Sequence, residues 1–239
     1  GRLISIWPIR SSVLVQDGVA YCFAGLFPSQ GVFAAAYHVS DGAVVYQRQI
    51  DQSPQGYVLS AAGELYVPTG RSNPIAVDPK TGSVLRSFDG VGGTFALVVD
   101  NELVAGPGNN GSLAVSHRTS RASLVEFSGR QMVVAAGVSY LLSSDELLAL
   151  DRPRFLALTT QRREAGARQS ETRSRLQKAG TDGDQVKTLQ DDLAALSEQI
   201  KQLDLRLIAC YLWRVPVQRC EALILAGGHL IVGGEDRVL

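Results

Sequence analysis

This chain has few of the residues that most enzyme chemistry draws on. It holds three cysteines, Cys22, Cys210 and Cys220, and three histidines, His38, His117 and His229, all far apart in sequence. Cysteines so sparse exclude a disulfide framework and a zinc site of ordinary ligand spacing; one pair could bridge, but buried thiols are the simpler expectation. No apolar run approaches the roughly 20 residues of a membrane-spanning helix. An excess of charge is missing too, since 23 basic residues balance 23 acidic ones, which argues against a nucleic-acid binder or a polybasic membrane-surface protein. No Ser–His–Asp, paired-carboxylate, phosphate-cradling or calcium-loop spacing occurs. Asp17, Asp41 and Asp100 each sit in a turn, where Asp is common for structural reasons.

What the chain does have is glycine, 24 of its 239 residues, set mostly between short apolar runs. That is the pattern of an all-β protein with many turns. The segment "GYVLSAAGELYVPTGRSNPIAVDPKTGSVLRSF" reads as four strands, residues 57–60, 64–68, 74–78 and 83–88, with turns "AAG", "TGRSN" and "PKTG" between them. Fainter copies start at "SVLVQDG", "FALVVDN" and "QMVVAAG", and a fifth opens at "ALILAGG". The period is roughly 35 to 40 residues, and a four-stranded antiparallel sheet must stack on neighbours to bury both faces. The expected fold class is therefore all-β, a β-propeller of four-stranded antiparallel blades. A β-sandwich shares the strand spacing but not turn chemistry at matching offsets.

The stretch "AVDPKTGSVL" resembles the repeat of the PQQ-like, or quinoprotein-type, propellers, whose blades carry Ala-x-Asp-x-x-Thr-Gly followed by a Trp. Ala76, Asp78, Thr81 and Gly82 match, and Arg86 takes the place of the Trp. In the first copy Ala36 and Gly42 match, His38 replaces the Asp and Tyr46 the Trp. In the third, Ala114 and Thr119 match and Ser116 replaces the Asp. In the fourth, Ala149 and Asp151 match, and Trp213 follows after a long interruption. These are turn and packing residues: Asp accepts backbone N–H bonds, Gly takes positive φ, and the outer-strand aromatic packs on the next blade. The resemblance implies rings of seven or eight blades. About four and a half are counted here, so a partial ring with exposed edges is expected, completed by blades of a longer parent chain or by a second copy. The chain starts without Met and stops part-way through a strand-like pattern, which suits an internal piece of a longer protein.

The interruption sits where the fourth blade needs only a tight turn. Residues 152–209 are polar and rich in helix formers, dividing the chain into blades one to three with the start of four (1–151), the insertion, and the end of four with the start of five (210–239). Val186, Leu189, Leu193, Leu196, Ile200, Leu203 and Leu207 recur at three and four, as in a coiled-coil seam. Phe155, Leu158, Arg162, Ala165, Gln169, Thr172 and Leu176 give a poorer seam, and "KAGTDGD" breaks the helix between them. An antiparallel helical hairpin is expected, its first helix basic and its second acidic. It serves either as an elaborated loop or as an arm for a partner protein or self-association; nucleic acid is not expected beside the acidic helix.

Propeller topology puts the hairpin and "DPKTGS" on one face. The loops "GLFPSQG", "PTGRSNP", "GPGNNGS" and "SSDE", and the inter-blade connections, lie on the other, where ligand sites of propellers usually open. Arg10, Gln55, Arg71, Asn73, Asn109, Asn110 and Arg130 are the candidate ligand-binding residues there, set against ordinary solvated turn residues. The resemblance implies two functions. One is a non-catalytic scaffold for binding or protein interaction, with no cofactor. The other is a quinoprotein oxidoreductase for alcohols or sugars, holding PQQ with calcium and having some active residues outside this chain. The absence of adjacent cysteines, and tryptophans only at Trp7 and Trp213, favour the first. The resemblance also implies a bacterial, extracytoplasmic setting.

Overall fold

The computed structural model describes residues 5, 7–90, 92–108, 111–179 and 183–234. Five antiparallel sheets follow one another along the chain, four of them four-stranded with strands in sequence order. The first comprises β1 (Leu14–Gln16), β2 (Val19–Ala24), β3 (Val32–His38) and β4 (Val44–Ile50). The second comprises β5 (Leu59–Ala61), β6 (Glu64–Val67), β7 (Ile75–Val77) and β8 (Val84–Ser87), and the third β9 (Phe95–Val99), β10 (Glu102–Gly106), β11 (Ser112–His117) and β12 (Ser123–Ser128). The fourth is β13 (Gln131–Ala135), β14 (Val138–Leu142), β15 (Glu146–Asp151) and β16 (Tyr211–Pro216), and the fifth pairs β17 (Cys220–Ala226) with β18 (His229–Gly234). This is the blade succession of a partial β-propeller. Two helices, α1 (Arg152–Lys178) and α2 (Gly183–Ile208), run between β15 and β16.

The first turn of a blade recurs for a simple reason. Asp17-Gly18, Ala62-Gly63, Ala136-Gly137 and Gly227-Gly228 all have positive φ at both residues. That is the type I′ geometry whose twist suits a two-residue hairpin. Sheet two also shows why blades stack. Along β6 and β7, Leu65, Val67, Ile75 and Val77 join a core with Phe23, Val32 and Ala34 of the first sheet. The alternate residues Tyr66 and Ala76 join Phe88, Ala96 and Leu103 on the other side. Period-two alternation thus feeds two different cores, and both faces of the sheet are buried.

The repeat motif behaves as turn chemistry. Asp78 Oδ1 accepts the Lys80 N–H at 2.9 Å and Oδ2 the Thr81 hydroxyl at 2.9 Å. The Asp78 and Gly82 N–H groups close the turn on Ser83 O and Asp78 O, each at 2.9 Å. Its carboxyl is held below the usual carboxylate range, chiefly by the Lys80 N–H and then by the Thr81 hydroxyl. In register, Ala36 faces Tyr46, Ala76 faces Arg86 and Ala149 faces Trp213, each with a bulge immediately after the alanine. Tyr46 lies under the next blade's turn: a Cβ on Gly82 would come within 2.5 Å of its ring. Arg86 also reaches the next blade, donating from Nε to Arg118 O at 2.9 Å. Its guanidinium forms an ion pair with Glu64 and stands over the Phe88 ring, 5.6 Å from the centroid.

The third blade corrects the sequence alignment by one residue. Its bulge follows Val115, not Ala114, and its turn is closed by the His117 N–H on Ala122 O and the Arg121 N–H on His117 O. His117, not Ser116, therefore stands where Asp78 stands, and its Nδ1 accepts the Ser120 N–H at 3.2 Å. Ser120, not Thr119, matches Thr81. Arg121 takes the glycine place with φ 63°. Ala114 and Thr119 match the motif in identity but lie one residue out of phase with the bulge.

By compactness the chain divides into two units. One holds Gly1–Val133, Leu142–Asp145 and Val217–Leu239, the other Val134–Leu141 and Glu146–Pro216. In the second unit the two helices pack antiparallel. Arg162 pairs with Asp204, and seven residues later Gln169 Nε2 donates to Ser197 Oγ at 2.9 Å. Phe155, Leu158, Ala165 and Thr172 are buried on α1, as are Leu189 and Leu203 on α2. Asp151 caps α1, accepting the Arg154 N–H at 3.2 Å. Buried Arg152 ties the helix start to β14, donating from Nη1 to Ser139 Oγ at 3.1 Å, and its N–H reaches the β13–β14 turn at Gly137 O, 3.0 Å away. Trp213 contacts Tyr140, with ring centroids 6.1 Å apart. Among the described residues, no helix is long and apolar enough to cross a membrane. The cysteines are buried and unbridged, and burial pushes the Cys22 and Cys210 thiols up.

Candidate functional site

In the first unit, inter-blade connections and the loops between second and third strands meet at a cleft of about 710 Å³. Backbone bridges stitch these segments together: Ser11 with Gly56, Gln55 with Thr69, and Gly70 with Gly93. Glycine permits this closeness. A Cβ on Gly93 would lie 2.1 Å from Gly106 O, and one on Gly56 would lie 2.1 Å from Thr94 O. The glycines of "QGY", "VGGT" and "PTGR" are thus packing requirements as well as turn formers.

On this rim stand Arg10, Gln55 and Arg71. Arg10 Nη2 donates to Gln55 Oε1 at 2.6 Å, and Nη1 to Ser53 Oγ at 3.4 Å. The Ser53 hydroxyl in turn donates to Leu26 O at 2.7 Å. The Gln55 N–H is fixed on Pro68 O at 2.9 Å. Its Oε1 lies so near Gly70 that a Cβ there would come within 2.5 Å. Buried Thr69 folds its loop back, its hydroxyl 2.5 Å from Ser72 O and 3.1 Å from Asn73 O. The fold exposes Arg71 at the tip. Leu26, Phe27 and Pro107 supply apolar lining.

The structure gathers Arg10, Gln55 and Arg71 at one cleft and leaves others of the set outside it. Asn73 Nδ2 donates to Asp89 Oδ1 at 3.3 Å. Arg130 faces Glu221 at 3.9 Å. Asn109 and Asn110 lie outside the described residues. Ser53 and Thr69 hold the rim together, yet neither stands out in sequence because hydroxyl residues are common in any loop. The paired glycines opposite them are the signal that marks a close backbone approach.

The described lining residues include two guanidiniums, hydroxyls and an amide, but no carboxylate, imidazole or thiol. The described lining can therefore orient and neutralise a ligand, and among its residues none carries a side chain that exchanges a proton near neutral pH. Among the described residues, no three of His, Cys, Asp and Glu stand close enough to hold a metal ion. His117 and His229 are engaged in turns. Trp7 meets Phe33 edge-on and donates from Nε1 to Gln30 O at 2.9 Å.

No protein-family model matches the chain, and no curated protein matches it. Among solved structures it is similar to BamB from Moraxella catarrhalis, at 17% identity and a TM-score of 0.49, over 61% of this chain and 47% of that one. It is similar also to the quinohemoprotein alcohol dehydrogenase ADHIIG from Pseudomonas putida HK5, at 15% identity and a TM-score of 0.48, over 63% and 33%. The quinohemoprotein alcohol dehydrogenase from Comamonas testosteroni matches at 14% identity and a TM-score of 0.47, over 62% and 34%. The matched region spans less than half the length of each of those chains.

Proposed function

We propose that this chain is a non-catalytic PQQ-like β-propeller that acts as a binding and protein-interaction scaffold. One observation carries the reading: the rim cleft is built from fixed loops and two guanidiniums, and its described lining has no proton-transfer group. The helical hairpin serves as a second, separate arm for a partner or for self-association, paired as a short coiled coil. Missing blades, from a longer chain or a second copy, complete the ring, and the setting is bacterial and extracytoplasmic.

The alternative is a quinoprotein oxidoreductase for alcohols or sugars. Its cofactor would be PQQ with calcium, and the described residues do not fit that group. Calcium takes six to eight oxygen ligands, acidic ones among them, whereas the described cleft lining has no carboxylate. No two cysteines are adjacent, and neither tryptophan lines the cleft. The test is turnover. After incubation with PQQ and calcium, the scaffold oxidises neither alcohols nor aldoses in a dye-reduction assay, and sustained turnover overturns the reading.

A further inference from the structure

We infer that the cleft takes a short acidic segment of a partner polypeptide, with a carboxylate held between Arg10 and Arg71. This rests on the scaffold reading above. The first support is charge. Other half-buried arginines already have a carboxylate: Arg86 and Arg118 share Glu64, and Arg162 has Asp204. Arg10 is held by neutral oxygens, Gln55 Oε1 and Ser53 Oγ. Arg71 has no ion-pair partner among the described residues, and no described acidic side chain lines the cleft. In a chain with as many acidic as basic residues, the two guanidiniums form a local positive site complementary to an anion.

The second support is order. Arg10 is fixed by partners that are themselves fixed, and the loop bearing Arg71 is closed by Thr69. Arg10 has little side-chain freedom left to lose when a carboxylate binds, and a guanidinium fork suits a carboxylate's two oxygens. The third is the apolar border. Ile9 and Phe27 are 57% and 54% exposed; Ile9 adjoins Arg10, and Phe27 lines the cleft. Aromatic residues and arginine together are the composition of interface centres. They favour a polypeptide, which brings apolar neighbours with its carboxylate, over a small anion. A cleft of about 710 Å³ holds a few residues of a chain, not a folded surface.

The test is fluorescence anisotropy with the whole chain and three labelled probes: a twelve-residue peptide of repeating Glu-Leu-Ser, its Gln-Leu-Ser counterpart, and oligothymidylate. The acidic peptide is expected to bind about tenfold more tightly than its Gln counterpart, and Arg71→Gln to weaken it by about tenfold, as for loss of one charge-assisted contact. Arg71→Lys keeps part of that affinity. Arg71 sits on an exposed tip, so its variants fold. A paired Arg173→Gln, Arg175→Gln change on α1 tests the basic helix as the competing location. Equal binding of the two peptides, tighter binding of the oligonucleotide, loss through the α1 change instead of Arg71→Gln, or no binding overturns the inference. The scaffold reading falls separately, on turnover with PQQ and calcium.

Discussion

The Asp151 N–H donates to Cys210 O at 2.9 Å across the full length of two helices. The same bond, at the same length, joins Asp78 to Ser83 across a tight turn in the second blade. The hairpin therefore occupies the place of residues 79–82 and leaves the strand ladder on either side intact. The aspartate keeps its chemistry in both settings. Asp78 accepts an N–H two residues on, and Asp151 accepts one three residues on as a helix N-cap. A propeller turn whose acceptor already faces forward is a natural start for a helix, which is how a blade can carry such an insertion.

The Tyr46–Gly82 contact makes the first prediction. Gly82→Ala combines positive φ with a clash against the Tyr46 ring, whereas Gly42→Ala has positive φ and open space. Gly42→Ala is expected to cost about 1 kcal/mol, and Gly82→Ala at least ~1 kcal/mol more. The Tyr46 hydroxyl is buried with no hydrogen-bond partner among the described residues, so Tyr46→Phe is expected to be neutral or stabilising by up to ~1 kcal/mol. Urea unfolding of the three variants checks all of this.

The Arg86–Glu64 pair makes the second. Burial acts to raise the Glu64 carboxyl, but hydrogen bonds from Arg86 and Tyr66 outweigh it and hold the group below its ordinary value of 4.5. A carboxyl lowered on folding stabilises fully above its ordinary value, and that stabilisation is lost as pH falls through the folded-state value. Glu64→Gln is expected to cost about 2 kcal/mol at pH 7. Denaturant titrations from pH 7 to 3 would show the gap between variant and wild type narrowing only below about 4.5, the carboxyl's ordinary value. A constant gap would mean that the ionised carboxylate does not carry the effect.

Much of this architecture is legible in the sequence, and the limits have physical causes. The hairpin seam reads well because 3.6-residue periodicity is a strong signal over many turns. Leu189 and Leu203 are buried where the spacing puts them, while Arg162 and Gln169 hold seam positions as polar contacts to Asp204 and Ser197. Identity at Ala114 and Thr119 shifts the third blade by one residue in a sequence alignment, because the turn's acceptor, His117, resembles Asp78 only through its ring nitrogen. The rim cleft was legible as a face but not as a set. Arg10 and Arg71 are far apart in sequence and meet through Gln55 and Gly70, and only the paired glycines hint at that approach.

The hairpin gives the third prediction. Its stability should rest on apolar contact and not on the charges that distinguish its helices. The Arg162–Asp204 pair is roughly half exposed on both sides, so Arg162→Ala is expected to cost under ~1 kcal/mol. Leu203, 4% exposed, is expected to cost about 3 kcal/mol on change to Ala. Thermal melts followed by helical circular dichroism separate the two, and equal losses would contradict the account.

The central claim is that the propeller binds partners and not a redox cofactor, and calorimetric titration of the completed ring, this chain together with the blades that close it, with PQQ in the presence of calcium tests it most directly. The account predicts no saturable heat. Saturable, calcium-dependent binding near or below about 1 μM, lost on chelation and accompanied by alcohol oxidation, would contradict it.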